Sequence, residues 1–352
     1  MLTCVAKKSS SCIKNLQDFG DSAVLLGQQP NTSTPSPELT HYSAGHKMIF
    51  MDILLRIIDI LFPIFSIVTL GLIFGKKFKP DMKVVNQLNM DVFVPALIFA
   101  VLVGQSVDVR EYIPLMIAAL FVVIGSGILI WPIAKLFNER MKTLAPPMMF
   151  NNSGNMALPL MVMTFGEAAL PIAMILFLVE NTLHFTLGTA WLNNTGRSSL
   201  RSMISPLTIA TFIGVALGAS NIVIDETLLL PIDLLGKIVV PLMLFSLGVR
   251  LASSSFKTLK IGIIGGLGCP ATGLILVIMI LPIFELMQIE LTRMEVGALF
   301  LFGALPPAIL NFMLAERYNQ EPDKVASIVI IGNALTLITL PLVLAYVIPR
   351  FT

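Results

Sequence analysis

Long apolar stretches recur along the chain and predict helices that cross a lipid bilayer, since about 20 apolar residues in helical form span its hydrocarbon core. Six stretches contain no charged residue: Tyr112–Ala134, Thr143–Gly166, Ser202–Ile224, Ile261–Phe284, Val296–Ala315 and Val325–Pro349. Four others carry a charge within or near one end: Leu54–Gly75, Val85–Val103, Ala168–Leu192 and Thr227–Val249. The pattern predicts an all-α integral membrane protein with ten transmembrane helices, numbered here from predicted helix one to predicted helix ten.

The composition agrees with a membrane location and excludes other classes of protein. Only 12% of the 352 residues are charged, whereas about 25% is typical of a soluble domain. A net charge of +2 without a basic stripe excludes a nucleic-acid partner. Cys4, Cys12 and Cys269 are too scattered for a disulfide framework or a thiolate metal site, so we expect neither a cofactor nor a bound metal.

Basic residues concentrate in the odd-numbered loops between the predicted helices. The even-numbered loops hold only Arg110 and Arg293 as cations, together with seven acidic residues. The positive-inside bias therefore predicts that the odd-numbered loops lie in the cytoplasm and that both termini lie on the outer side. The expected location is the inner or plasma membrane of the cell. The basic residues of the odd-numbered loops are Lys76, Lys77, Lys79, Lys83, Lys135, Arg140, Lys142, Arg197, Arg201, Arg250, Lys257, Lys260, Arg317 and Lys324.

The first 47 residues do not follow the membrane pattern. They include the polar, proline-broken run Thr32–Pro37, and no hydrophobic region before it suits a cleaved signal peptide. We interpret residues 1–47 as a disordered extension, or as sequence upstream of a true start at Met48 or Met51.

Three features of the first half of the chain reappear in the second half, at offsets of 146 to 152 residues. Five helices per half is an odd number, so the second half must enter the membrane from the opposite side. We therefore predict two inverted five-helix repeats, over residues 51–192 and 202–350. The matched features are Val94–Phe99 with Val240–Phe245, Ala157–Pro159 with Ala304–Pro306, and Asn181 with Asn333.

Predicted helices four and nine each contain polar residues, glycine and proline within an apolar span. Pro159 lacks a backbone donor and its ring clashes with the carbonyl four residues earlier, near Asn155. Two broken helices that cross at mid-membrane can aim the positive ends of half-helices at an anion. Alternatively, the prolines only kink the helices and the asparagines pair between them. The candidate substrate-binding residues are Asn151, Asn152, Ser153, Gly154, Asn155, Pro159, Gly303, Pro306, Pro307 and Asn311.

Glu180 and His184 lie one turn apart near the middle of predicted helix five, so their side chains can meet. A carboxylate inside a membrane is costly to keep charged and is a functional candidate by default. A structural hydrogen-bonding pair is the alternative. Glu180, Asn181, His184 and Asn333 are the candidate coupling residues for a proton, while asparagine and serine oxygens could instead hold a sodium ion.

The run Asn152–Leu160 resembles the helix-four signature of the auxin efflux carrier family. Phe62–Phe65 leading to Gly71, and the segment from Ala326 to Pro341, are similar to that family too, so the resemblance covers about Met51–Ile348. Ala157 departs from the glycine that is usual in the family. The resemblance implies a scaffold domain and a transport domain that contains the crossed helices. It also implies small carboxylates as cargo, such as malate or malonate in bacterial members and auxin in plant members.

These observations predict a secondary active transporter of a small organic anion that works by alternating access, with the lipid bilayer as its surroundings. A sodium-coupled bile-acid-type symporter is a related alternative, and a channel or a membrane sensor is an alternative of a different class. An enzyme is not expected, because the chain lacks a convincing set of positioned acid and base groups. The substrate, the direction, the coupling ion and the oligomeric state, including a homodimer, stay open.

Overall fold

The structure is a computed structural model that describes residues 37–104, 108–192, 206–219, 224–252 and 258–352, and these residues are almost entirely helical. Three π-helical segments, Asn89–Phe93, Ser153–Ala157 and His184–Gly188, interrupt the α-helices. Within the described ranges the all-α prediction is confirmed. The α-helices are α1 Pro37–Phe78, α2 Lys83–Leu88, α3 Val94–Gly104, α4 Ile113–Leu136, α5 Met141–Met149, α6 Leu158–Phe165, α7 Leu170–Leu183, α8 Thr189–Leu192, α9 Pro206–Ala219, α10 Glu226–Lys237, α11 Val239–Ala252, α12 Leu259–Leu286, α13 Arg293–Gly303, α14 Ile309–Arg317 and α15 Pro322–Phe351.

Six helices in the described part of the chain are long and apolar enough to cross a membrane, which supports an integral membrane protein. Two other predicted helices correspond to the shorter apolar helices Asn89–Gly104 and Pro206–Leu217. Predicted helices four and nine are divided into the half-helices α5 and α6, and α13 and α14. Ten spans and their inverted arrangement therefore stay predictions. The six long helices are Met51–Phe78, Val109–Leu136, Glu167–Leu192, Glu226–Ala252, Leu259–Leu286 and Pro322–Phe351.

The predicted extension, residues 1–47, falls largely outside the described residues, as do Cys4 and Cys12. Helix α1 begins within it, at Pro37. Contacts divide the chain into the units Met1–Met48 and Ile49–Thr352. Residues 193–205, which comprise the linker between the two predicted repeats and the first residues of the second repeat, also lie outside the described residues, and the repeat boundaries stay predictions.

The helices of the second unit form two groups by their contacts. In the crossing group, α4 packs on α5, α7 and α12, while α15 packs on α12, α13 and α14. In the flanking group, α3 packs on α9 and α10, and the π-helical segment 89–93 packs on α9, α10 and α11. The groups meet where α11 contacts the π-helical segment 153–157 and where α3 contacts α7. The two broken helices thus lie in the crossing group.

Two pairs of helices pack backbone against backbone through glycines. A Cβ atom added to Gly71 of α1 would lie 2.1 Å from the carbonyl oxygen of Phe245 in α11. A Cβ atom added to Gly273 of α12 would lie 2.1 Å from the carbonyl oxygen of Gly303, the last residue of α13. Small residues permit this close approach between membrane helices. The second contact fixes the end of α13 against α12, where the break in predicted helix nine begins.

A polar cluster joins the loop before α5 to the loop after α14. Lys324 Nζ lies 2.6 Å from Glu139 Oε2 and 3.0 Å from Glu321 Oε1. Thr143 donates a hydrogen bond to Glu321. Burial raises the pKa of the Glu321 carboxyl, but the hydrogen bonds from Thr143 and Lys324 outweigh it and hold the pKa below its ordinary value. The cluster therefore connects the ends of the half-helices α5 and α14 that lie away from the breaks.

Candidate functional site

The breaks in predicted helices four and nine pair with each other. Asn151 and Pro307 form an isolated antiparallel bridge. On either side of it, the amide of Asn152 donates to Pro306 O at 2.7 Å and the amide of Ala308 donates to Phe150 O at 2.9 Å. Backbone groups inside a membrane must find partners within the protein. Each break therefore supplies hydrogen-bond partners for the other. The paired segments Phe150–Asn152 and Pro306–Ala308 are called the crossing below.

The first break lies at the start of the polar segment Asn151–Pro159 that the sequence indicated. The chain leaves the α-helical conformation at Phe150–Asn152, whereas Pro159 stands in the first turn of α6. The π-helical segment Ser153–Ala157 leads directly into α6, so the missing backbone donor of Pro159 falls just after an irregular turn. In the second break, α13 ends at Gly303 and α14 begins at Ile309, with Pro306 and Pro307 between them as predicted.

The side-chain amides of Asn151 and Asn311 hold the two breaks together by hydrogen bonds. Asn151 Nδ2 donates to Phe302 O at 2.8 Å. Asn311 Nδ2 donates to Phe150 O at 2.8 Å and to Ala308 O at 3.0 Å. Asn311 is 1% exposed. Its amide group therefore contacts both chain segments of the crossing.

Asn333 of α15 also stabilises the crossing, by hydrogen bonds to both breaks. Its Nδ2 donates to Pro307 O at 3.0 Å and to Val329 O at 2.8 Å. Its Oδ1 accepts a hydrogen bond of 2.9 Å from Asn152 Nδ2, and Asn152 Oδ1 in turn accepts one of 3.0 Å from Asn155 Nδ2. A chain of amides thus leads from α15 through the crossing to Asn155, which is partly exposed.

A cavity of about 630 Å³ adjoins the crossing. It lies between the two helix groups, because its walls come from α7, α14 and residues 151–155 on one side and from α11 and residues 87–91 on the other. The remaining candidates Pro159, Gly303, Pro306, Pro307, Asn311 and Asn333 are not among its lining residues. The candidates that line the cavity are Asn151, Asn152, Ser153, Gly154, Asn155, Glu180, Asn181 and His184.

All three π-helical segments found in the described ranges contribute to the wall of this cavity. They supply Asn89 to Asp91, Ser153 to Asn155, and His184 with Phe185. A π-helical turn accommodates one extra residue and occurs frequently at functional sites. The irregular turns thus collect around one space, although they come from three different parts of the chain.

Glu180 and Ser153 connect α7 to the first broken helix. Glu180 is 3% exposed, and the hydroxyl of Ser153 donates to its Oε2. The Nδ1 atom of His184 lies 4.0 Å from Glu180 Oε1, which is beyond hydrogen-bonding distance. The His184 ring stacks on Phe150 with 4.0 Å between ring centroids. The carboxyl group therefore contacts the chain after the break, and the imidazole contacts the residue at which the break begins.

Two buried amide oxygens beside the cavity have no hydrogen-bond partner: Asn89 Oδ1 and Asn151 Oδ1. An unpaired buried polar atom costs about 1–3 kcal/mol, and such atoms are rare away from functional sites. Both asparagines line the cavity. Their unpaired oxygens can accept hydrogen bonds from a ligand that enters it.

The structure adds three charged residues to the cavity wall that the sequence analysis did not select as candidates. They are Asp91, Arg250 and Arg317. Both arginines stand in the last turn of a helix next to an odd-numbered loop, so the sequence presented them only as topology signals. No local sequence signal distinguished these two arginines from other basic residues at helix ends.

Comparison with known proteins gives the class of the chain. Residues 190–344 match the family model described as "Membrane transport protein". This is the model of the auxin efflux carrier family domain, and the match confirms the resemblance found in the sequence. None of the curated proteins matches the chain significantly.

Proposed function

We propose that the protein is a secondary active transporter that carries a small organic anion, of the kind of malate, malonate or auxin, by alternating access. The observation that supports this most strongly is the pairing of two broken helices beside a cavity of about 630 Å³. The lining amides of Asn151, Asn152 and Asn155 and the half-helix ends near them suit a carboxylate. Binding of substrate at this crossing is the central step of the proposed transport cycle.

The proposed cycle moves the crossing group relative to the flanking group. The cavity separates the two groups, so a shift of one past the other would expose the crossing to the opposite side. Gln87, Arg250 and Arg317 line the cavity near helix ends that lead into odd-numbered loops. With those loops in the cytoplasm, as proposed, this end of the cavity would face the inside of the cell.

The proposed coupling ion is a proton carried by Glu180. The carboxyl group is buried, lines the cavity and accepts a hydrogen bond from Ser153 on the broken helix. A charged carboxylate in such surroundings is costly, whereas a neutral one is not. Sodium coupling, as in a bile-acid-type symporter, is the alternative, and the two differ in the gradient that drives accumulation.

The test of the proposal is transport by the purified full-length protein in proteoliposomes. We expect uptake of radiolabelled malonate or indole-3-acetate that saturates with concentration, and a thermal stabilisation of the protein by the same ligand. Uptake that rises linearly without saturation would instead indicate a channel. A screen of small mono- and dicarboxylates with no saturable uptake and no stabilisation would overturn the proposal.

The predicted orientation has its own test. Single cysteines at Lys77 and Arg317 should react with a membrane-impermeant maleimide only after cells are permeabilised. Cysteines at Asp108 and Glu226 should react in intact cells, because the positive-inside bias places the even-numbered loops outside. Labelling of Lys77 and Glu226 from the same side would contradict the ten-helix arrangement.

A further inference from the structure

Two arginines from facing helices lie at the end of the cavity near the odd-numbered loops. Arg250 stands in the last turn of α11 and Arg317 in the last turn of α14. Arg250 Nη1 lies 3.4 Å from Met313 Sδ, so its guanidinium group reaches from the flanking group to α14 of the crossing group. Met313 precedes Arg317 by one turn on the same face of α14. Both guanidinium groups therefore belong to one end of the cavity.

Both basic side chains of the described cavity wall stand at this end. The charged residues described in the cavity wall are Asp91, Glu180, Arg250 and Arg317, and Glu180 is engaged by Ser153 next to the crossing. Arg250 and Arg317 both contribute guanidinium groups to this end of the cavity. The planar guanidinium fork matches the geometry of a carboxylate.

We propose that Arg250 and Arg317 form a second anion site, the mouth site, which captures a soluble carboxylate before it moves to the crossing. The inference rests on the proposed function for the identity of the anion as cargo. The arginines line the cavity, and Arg317 is exposed with its guanidinium over the Tyr318 ring, 5.8 Å from the centroid. A charged cleft of this kind raises the local concentration of its ligand and the rate of association.

Substitution of either arginine tests the capture step. We expect Arg250→Gln and Arg317→Gln each to raise the KM for malonate about tenfold. The maximal rate should change less than twofold, because the crossing is untouched. The difference from wild type should shrink in high salt, since salt screens steering charges. The matched control is Lys135→Gln, which removes one charge in the last turn of α4, outside the cavity wall. An equal rise of KM in the control would mean that general surface charge is responsible, and would overturn the mouth site.

A second measurement does not depend on transport. The full-length protein in phosphatidylcholine nanodiscs is treated with phenylglyoxal, and modified arginines are mapped by mass spectrometry. Malonate or indole-3-acetate should protect Arg250 and Arg317 at least fivefold more than chloride of equal ionic strength, while Arg110, paired with Asp108, stays unaffected.

Equal protection by chloride, or none by either carboxylate, would overturn the mouth site. Protection of both arginines in phosphatidylglycerol nanodiscs without any added carboxylate would also overturn it, because it would indicate a lipid headgroup as the ligand. Protection without any saturable transport would leave the mouth site standing and would overturn the proposed transport function instead.

Discussion

Replacing Glu180 with glutamine is expected to abolish accumulation driven by a pH gradient while leaving exchange of substrate across the membrane intact. Glutamine resembles the protonated carboxyl group and can keep the hydrogen bond with Ser153, but it cannot release a proton. The measurement compares net accumulation under an imposed pH gradient with counterflow in proteoliposomes preloaded with substrate. We expect the accumulation to fall at least tenfold and the counterflow to stay within twofold of wild type.

The control for this experiment is Glu167→Gln, which removes an exposed carboxylate at the start of the same long helix. It should accumulate substrate as wild type does. Undiminished pH-driven accumulation by the Glu180 variant would exclude the proposed proton role. Accumulation that follows a sodium gradient in wild type, and not a pH gradient, would favour the sodium-coupled alternative.

Asn333→Ala is expected to lower the stability of the ligand-free protein much more than Asn155→Ala. Asn333 makes three buried hydrogen bonds at the crossing, and their loss should cost about 2–4 kcal/mol of unfolding free energy. Asn155 is partly exposed to the cavity, and its amide donates to Asn152. Its removal should leave the melting temperature nearly unchanged and weaken ligand-induced stabilisation, by roughly tenfold in affinity.

The pair of variants separates structural asparagines from binding asparagines. Asn311 should behave as Asn333 does, because its amide is buried and holds Phe150 and Ala308 together. If Asn155→Ala lowered the melting temperature as much as Asn333→Ala and left the ligand shift intact, Asn155 would be a structural residue. The crossing would then need another group to bind the anion.

The positions of the breaks show what the sequence could predict. Pro306 and Pro307 cannot donate backbone hydrogen bonds, so their local chemistry marked the second break correctly. The first break begins at Phe150, next to the polar segment Asn151–Pro159 that the sequence indicated, and hydrogen bonds with Pro306 and Ala308 fix its exact position. Those partners lie more than 150 residues away, and no local pattern encodes them. Hydropathy indicated ten spans; six long helices are found among the described residues, and the ten-span arrangement stays a prediction.

The candidate site was predictable as far as its polar residues stood out against an apolar background. Asn151 to Asn155, Glu180 and His184 were conspicuous for this reason, and all of them line one cavity. Asn311 was selected by the same signal and Asn333 as the counterpart of Asn181 in the repeat, yet both contact the crossing and neither lies in the cavity wall. Arg250 and Arg317 were missed as candidate site residues because charges at helix ends are expected in any membrane protein.

The three π-helical turns make the chemistry of the cavity depend on the rotational phase of its helices. Each turn holds one more residue than an α-helical turn would, which rotates everything after it by about 100° relative to an uninterrupted helix. A single-residue deletion within Asn89–Phe93 would restore a regular helix and carry the following side chains to a different face. Relatives that share every lining residue type could thus present different walls to their ligands through one inserted or deleted residue. Divergence of specificity by small length changes, without exchange of any polar group, is therefore built into this architecture.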